Sequence, residues 1–138
     1  MYNYIFNSKS GEGIFIVEGE RDLLVEDNQI ESNQDGVVLV NSDGKIKGNR
    51  IYHNTRSGVL SAGRTTAHVV GNVVEESNTG ILIKDPSEIV LRKNKIRKNN
   101  VQVEMEKKGA KKFWNLYQFE NPEIKGTSAI PQSTCNIF

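Results

Sequence analysis

Apolar and polar residues alternate along most of this chain, in runs too short for a helix. Ile14 and Ile16, Val37 and Leu39, Val59 and Ser61, Ile81 and Ile83, and Val101 and Val103 share one phase. A second set, Val25, Ile46, Val69 and Leu91, stands three places before an asparagine. A third, Ile30, Ile51, Val74 and Ile96, stands two places after it. A period of two in runs bounded by polar turns predicts short strands. No stretch before residue 104 shows helical periodicity with caps.

The strand patterns recur at a fixed interval. A glycine precedes the apolar run at Gly13, Gly36, Gly58 and Gly80, in steps of 23, 22 and 22 residues. The asparagines Asn28, Asn49, Asn72 and Asn94 step by 21, 23 and 22. A fifth copy, anchored on Asn100 after 20 residues, lacks the glycine. Three short strands per unit do not make a simple hairpin sheet. They make a coil whose strands pair in parallel with their copies one unit on, burying an apolar interior only when stacked. The expectation is an all-β parallel β-helix, or solenoid, of four to five coils of about 22 residues over residues 1–106, followed by an aromatic tail over 107–138.

Corner positions then explain the asparagines. Stacked amides can hydrogen-bond as a ladder, and asparagine tolerates left-handed backbone. Asn28, Asn49, Asn72 and Asn94 form the expected structural ladder, and Asn33, Asn54, Asn78 and Asn99 a second one. The repeated glycines suit turns that need positive φ.

With GVVLV followed by NRIYHN, and GILIK followed by NKIRKN, the chain resembles the right-handed parallel β-helix repeat family of carbohydrate-binding and sugar-hydrolase type. Over residues 3–104 it is similar to the β-helices of F-box substrate receptors and Shc-binding proteins. The resemblance implies a right-handed coil. An F-box segment is not among the 138 residues, so the resemblance implies no ubiquitin-ligase role.

The single cysteine, Cys135, provides no disulfide framework. No apolar run approaches the roughly 20 residues of a membrane helix, and MYNYIFNSKS lacks the features of a signal peptide. These features lead to the expectation of an intracellular, cytoplasmic protein with no membrane contact. The net charge of +1 hides a polarity: residues 1–43 carry nine acids against Lys9 and Arg21, while residues 84–112 carry ten bases against four acids. In a solenoid this is an axial dipole, which suggests end-to-end self-association weakened by salt.

Candidate chemistry is sparse. Sugar-cleaving β-helices need carboxylates paired across neighbouring coils. Asp27 aligns with Gly48, Gly71 and Lys93, and Asp35 with Ser57 and Thr79. His53 and His68 have no cysteine or second histidine at ligand spacing, so the reading is two surface histidines with no metal and no cofactor. No phosphate loop or nucleophile elbow is present. The basic run KKGAKK is too local for nucleic acid against an acidic first half.

Contact surfaces remain. Phe15, Val38, Leu60 and Leu82 make an outward apolar stripe. Phe113, Trp114, Tyr117 and Phe119 form an aromatic cluster that either caps the solenoid or binds a partner. The sequence therefore suggests a non-enzymatic protein-interaction or structural scaffold module, a subunit of a larger intracellular assembly with other protein subunits as partners. The alternative is a carbohydrate-binding or polysaccharide-cleaving β-helix.

Overall fold

The computed structural model describes residues 4–6, 11–17, 23–84, 86–106, 120–121 and 123–125. Its strands are β1 (Tyr4–Phe6), β2 (Glu12–Val17), β3 (Leu23–Glu26), β4 (Gln29–Glu31), β5 (Asp35–Val40), β6 (Asp43–Lys47), β7 (Arg50–Tyr52) and β8 (Ser57–Ala62). There follow β9 (Thr66–Val70), β10 (Val73–Glu75), β11 (Thr79–Lys84), β12 (Glu88–Arg92), β13 (Lys95–Arg97), β14 (Val101–Glu106) and β15 (Glu123–Lys125). Three sheets result: sheet A, ordered β1-β4-β7-β10-β13-β15; sheet B, β2-β5-β8-β11-β14; and sheet C, β3-β6-β9-β12. Neighbouring strands are parallel throughout, and the chain is a β-solenoid of about four turns of about 22 residues.

The interior follows from the alternation. Ile30, Ile51, Val74 and Ile96 stack along sheet A, Val37, Val59, Ile81 and Val103 along sheet B, and Val25, Ile46, Val69 and Leu91 along sheet C; all are buried. β-Branched side chains suit this geometry because they pack well on a pleated, half-buried surface. Each coil's apolar face is covered by the next, which is why the stack rather than the coil is the stable unit.

The fifth coil corrects the sequence phase. Ile81 pairs with Val103 and Ile83 with Met105, while Val101 lies opposite Thr79. The inward pair is therefore Val103 and Met105, and the fifth member of the glycine column is Gln102 rather than Asn100. Gln102 is accommodated because its Oε1 accepts hydrogen bonds from Asn99 N (3.3 Å) and Nδ2 (2.9 Å).

The glycine column also has a different cause from the one expected. Gly13, Gly36, Gly58 and Gly80 are not among the positive-φ residues. Their reason is close approach: a Cβ on Gly36 would sit 2.5 Å from the Gly58 carbonyl oxygen, and one on Gly58 would sit 2.7 Å from that of Gly80.

Nor do the ladder asparagines occupy left-handed backbone. That conformation falls one residue earlier, on Asp27, Gly48, Gly71 and Lys93, and again after sheet A on Ser32, His53, Glu76 and Lys98. The asparagines are buried instead and work through their amides. Asn28 N donates to Asn49 Oδ1 (2.9 Å), Asn49 N to Asn72 Oδ1 (2.8 Å), Asn72 N to Asn94 Oδ1 (2.9 Å) and Asn94 N to Asn121 Oδ1 (3.0 Å). In return, the Nδ2 groups of Asn49, Asn72, Asn94 and Asn121 donate to the carbonyls of Val25, Ile46, Val69 and Leu91 at 2.7–2.9 Å. Only an amide has both the acceptor and the two donors this corner needs. Asn121, two residues before the start of β15, is a fifth rung that the 22-residue spacing did not reveal.

Candidate functional site

The second corner, between sheets A and B, is built differently. Its column reads Asn33, Asn54, Ser77 and Asn99, because Val73 lies opposite Arg50 and Glu75 opposite Tyr52, which sets residue 77 against residue 54. Asn78, the expected rung, is exposed instead, and its Oδ1 accepts from Asn100 Nδ2 (2.8 Å). The reason is length: the step between these coils at sheet A is 23 residues, so the asparagine falls one place outside the column.

Asn33 N donates to Asn54 Oδ1 (3.1 Å) and Ser77 N to Asn99 Oδ1 (2.9 Å), but serine is too short to continue the amide chain. Asn54 Nδ2 and Ser77 Oγ are left buried without a hydrogen-bond partner. Buried polar atoms of this kind cost about 1–3 kcal/mol each when unsatisfied. Among the described residues these are the two buried side-chain polar atoms without a partner, and both belong to the interrupted rung.

Directly outside the interrupted rung is a shallow groove lined by His53, Thr55, Glu76, Asn78, Lys98 and Asn100, with Asn54 and Ser77 also contributing. His53, Glu76 and Lys98 are successive members of the left-handed column, at φ of 56°, 58° and 59°. His53 Nε2 lies 2.9 Å from Glu76 Oε2, and both side chains are open to solvent. The Tyr52 ring meets the imidazole edge-on at 5.3 Å, and Arg50 stands 4.5 Å over the Tyr52 ring. On the adjoining face of sheet A, the carboxylate of Glu75 is buried between Arg50 (3.8 Å) and Arg97 (3.3 Å). An exposed imidazole touching an exposed carboxylate can pass a proton or offer nitrogen and oxygen donors to a cation. No pairing for His53 is legible locally in the chain, because its partner is on the next coil.

A second polar group serves the fold. Asp35 is fully buried at the start of β5 and accepts from Arg56 Nε (3.0 Å), from a short contact with Arg56 Nη2, and from Ser57 Oγ (2.6 Å). Burial alone would raise its pKa, but the hydrogen bonds from Arg56 and Ser57 and the guanidinium charge outweigh burial. Its pKa therefore lies below the ordinary 3.8. Glu12, Asp35, Ser57 and Thr79 share one column, so a second carboxylate, Glu12, stands opposite Asp35 on the preceding coil, a pairing that the alignment with Ser57 and Thr79 alone did not reveal.

Phe15, Val38, Leu60 and Leu82 stand in one register column, which ends at Glu104. The column is not uniformly open: Phe15 is exposed, Val38 is buried, and Leu60 and Leu82 are half-buried. Phe113, Trp114, Tyr117 and Phe119 lie outside the described residues. His68 is exposed between Lys45 and Val90. Among the described residues no group of three or more His, Cys, Asp or Glu side chains is gathered for a metal.

The family model described as "NosD: Periplasmic copper-binding protein (NosD)" matches residues 2–130. The chain belongs to the NosD family. Neither the curated proteins nor the solved structures hold a match. Membership places the chain in a parallel β-helix repeat family, in agreement with its three stacked sheets. It overturns the expectation of an intracellular, cytoplasmic scaffold subunit, because the NosD family is described as periplasmic. That expectation rested on one cysteine and an undistinguished first segment, and cysteine usage follows compartment only loosely. The carbohydrate alternative gains nothing from the NosD description either.

Proposed function

We propose that this NosD-family chain works outside the cytoplasm as a non-catalytic, copper-handling β-helix, and that its contact with copper is the His53–Glu76 pair. The family description supplies both the compartment and the metal. The observation that carries the assignment of residues is the 2.9 Å approach of His53 Nε2 to Glu76 Oε2 on a solvent-facing corner.

The donor set fits Cu(II) in part. Imidazole nitrogen and carboxylate oxygen suit the tetragonal N,O surroundings that Cu(II) prefers. Two donors are fewer than a closed centre takes, and Lys98 follows Glu76 on the same column, so an additional positive charge is disfavoured there. Such a site suits transient loading rather than storage. When bound, copper would bring Lewis acidity to the groove. The chain's own contribution is to hold His53 and Glu76 on adjacent rungs of a rigid stack, with Asn54 and Ser77 at its inner side. The sequence likeness to F-box receptors and Shc-binding proteins we read as shared coil construction.

The test is titration of the purified chain with Cu(II), followed by electron paramagnetic resonance. The expected result is one equivalent with mixed nitrogen and oxygen ligation, lost in His53→Asn, weakened in Glu76→Gln and kept in His68→Asn. Equal binding by the wild type and His53→Asn would remove these residues from the role.

A further inference from the structure

The groove at the interrupted corner carries a cation that copper binding alone does not use. Tyr52, Glu75 and Arg97 stand in register, so His53, Glu76 and Lys98, each one residue further on, form a row across three coils. Neighbouring strands lie about 4.8 Å apart, which sets the Lys98 ammonium one coil from the Glu76 carboxylate. The two cations of the preceding strand are engaged, Lys95 with Glu123 (3.6 Å) and Arg97 with Glu75 (3.3 Å). Lys98 is exposed and, among the described residues, has no carboxylate within ion-pair distance. Glu76, the acid beside it in the row, is held by His53.

We propose, resting on the reading that His53 and Glu76 hold copper, that this groove takes Cu(II) together with a small dicarboxylate, and that Lys98 pairs with the dicarboxylate. The 2.9 Å between His53 Nε2 and Glu76 Oε2 is the spacing of two neighbouring corners of a square whose metal bonds are roughly 2.0–2.1 Å. Two corners of a tetragonal set are then left open. Thr55, Asn78 and Asn100, the other exposed residues of the groove, are neutral, and Asn78 Oδ1 is already taken by Asn100 Nδ2 (2.8 Å). A dicarboxylate fills both corners with one oxygen from each carboxylate. Its outer oxygens remain to accept from an ammonium group.

Charge selects the co-ligand. With a neutral imidazole, Glu76 and Lys98 cancel, so a bare Cu(II) ion leaves the row doubly positive and is repelled by Lys98. A doubly negative partner restores neutrality and turns the Lys98 contact from repulsion to attraction. A neutral chelator gains nothing from Lys98, and a monocarboxylate bound through one oxygen leaves a corner open. The concavity, about 510 Å³, has room for a small molecule beside the ion.

Equilibrium dialysis of the full chain tests this with Cu(II) alone, with radiolabelled oxalate alone, and with the two at equal concentration. The expected result is copper and oxalate retained together in equal amounts, and no oxalate without copper. His53→Asn should retain neither. Lys98→Gln should weaken retention of copper–oxalate by about five-fold, the size of one exposed ion pair, yet hold Cu(II) alone as well as the wild type or better. Lys98 is exposed, so this variant should fold. Copper retained without oxalate by the wild type would overturn the dicarboxylate and leave the His53–Glu76 contact standing. Oxalate retained without copper, or copper–oxalate held equally by the wild type and Lys98→Gln, would overturn it too. Copper retained in neither form would remove the His53–Glu76 contact itself, and the dicarboxylate with it.

Discussion

The two asparagine corners of this solenoid are made from the same residue type at the same repeat, yet they differ in completeness. The corner through Asn28, Asn49, Asn72, Asn94 and Asn121 is unbroken: from Asn49 onward every rung offers Oδ1 to the preceding asparagine's backbone N–H, and its Nδ2 reaches back to a carbonyl of sheet C. The corner through Asn33, Asn54, Ser77 and Asn99 is interrupted at Ser77, with two buried polar atoms left over. The polar groove and the His53–Glu76 pair lie at the interrupted corner. The contrast separates what the repeat needs for folding from what it can give up. One saturated corner holds the coils in register, and the other can carry a locally unsatisfied site.

Substitution in the unbroken corner should have the largest effect. Asn72→Leu keeps the volume but strands the Asn49 backbone N–H and the Ile46 carbonyl and takes one of two acceptors from Asn49 Nδ2, which keeps the Val25 carbonyl. At about 1–3 kcal/mol for each buried unsatisfied group, the loss should be about 3 kcal/mol or more by urea unfolding. A loss below about 1 kcal/mol would mean that water replaces the amide and that the ladder is not the source of register.

Beside the interrupted corner, Asp35 makes stability depend on acid. Its folded pKa lies below the ordinary 3.8, so its contribution is present above the unfolded value and is lost as pH falls through the lowered folded one. Arg56→Leu removes the guanidinium that holds this pKa down and leaves the carboxylate buried. The acid-unfolding midpoint should then move to higher pH. An unmoved midpoint would show that Ser57 alone holds the charge.

The left-handed columns of the two corners allow a smaller test. Lys93 at φ 57° occupies a place that glycine fills at Gly48 and Gly71. Lys93→Gly should stabilise by about 1 kcal/mol, since non-glycine residues pay roughly 1–2 kcal/mol in this conformation. Glu76→Gly relieves the same strain at the other corner but also removes the partner of His53, so its gain should be smaller. Equal gains would mean that the His53–Glu76 pair adds nothing to stability.

Much of the fold was legible because a solenoid writes its three-dimensional contacts as a one-dimensional period. Val25, Ile46, Val69 and Leu91 recur in sequence and stack in space for the same reason. The period failed wherever a coil gained or lost a residue. Ser77 was missed because Asn78 matches the motif better than the register does, and Gln102 because the motif glycine is absent from the fifth coil. Asn121 comes 27 residues after Asn94, outside the repeat length. The candidate site was the least legible part. His53 and Glu76 are 23 positions apart, and nothing in their local sequence announces that the corner brings them together. Location was misread from composition, which reports chemistry more reliably than address.

A reciprocal exchange between the corners tests whether asparagine columns hold the coils and whether Ser77 is a true gap. Urea unfolding of Asn72→Ser and Ser77→Asn would be compared with the wild type. Opposite signs are expected: Asn72→Ser lowers stability by about 2–3 kcal/mol, and Ser77→Asn raises it by about 1 kcal/mol by giving Asn54 Nδ2 an acceptor. If Ser77→Asn destabilises the chain as Asn72→Ser does, the second corner is not an interrupted ladder and the account is wrong.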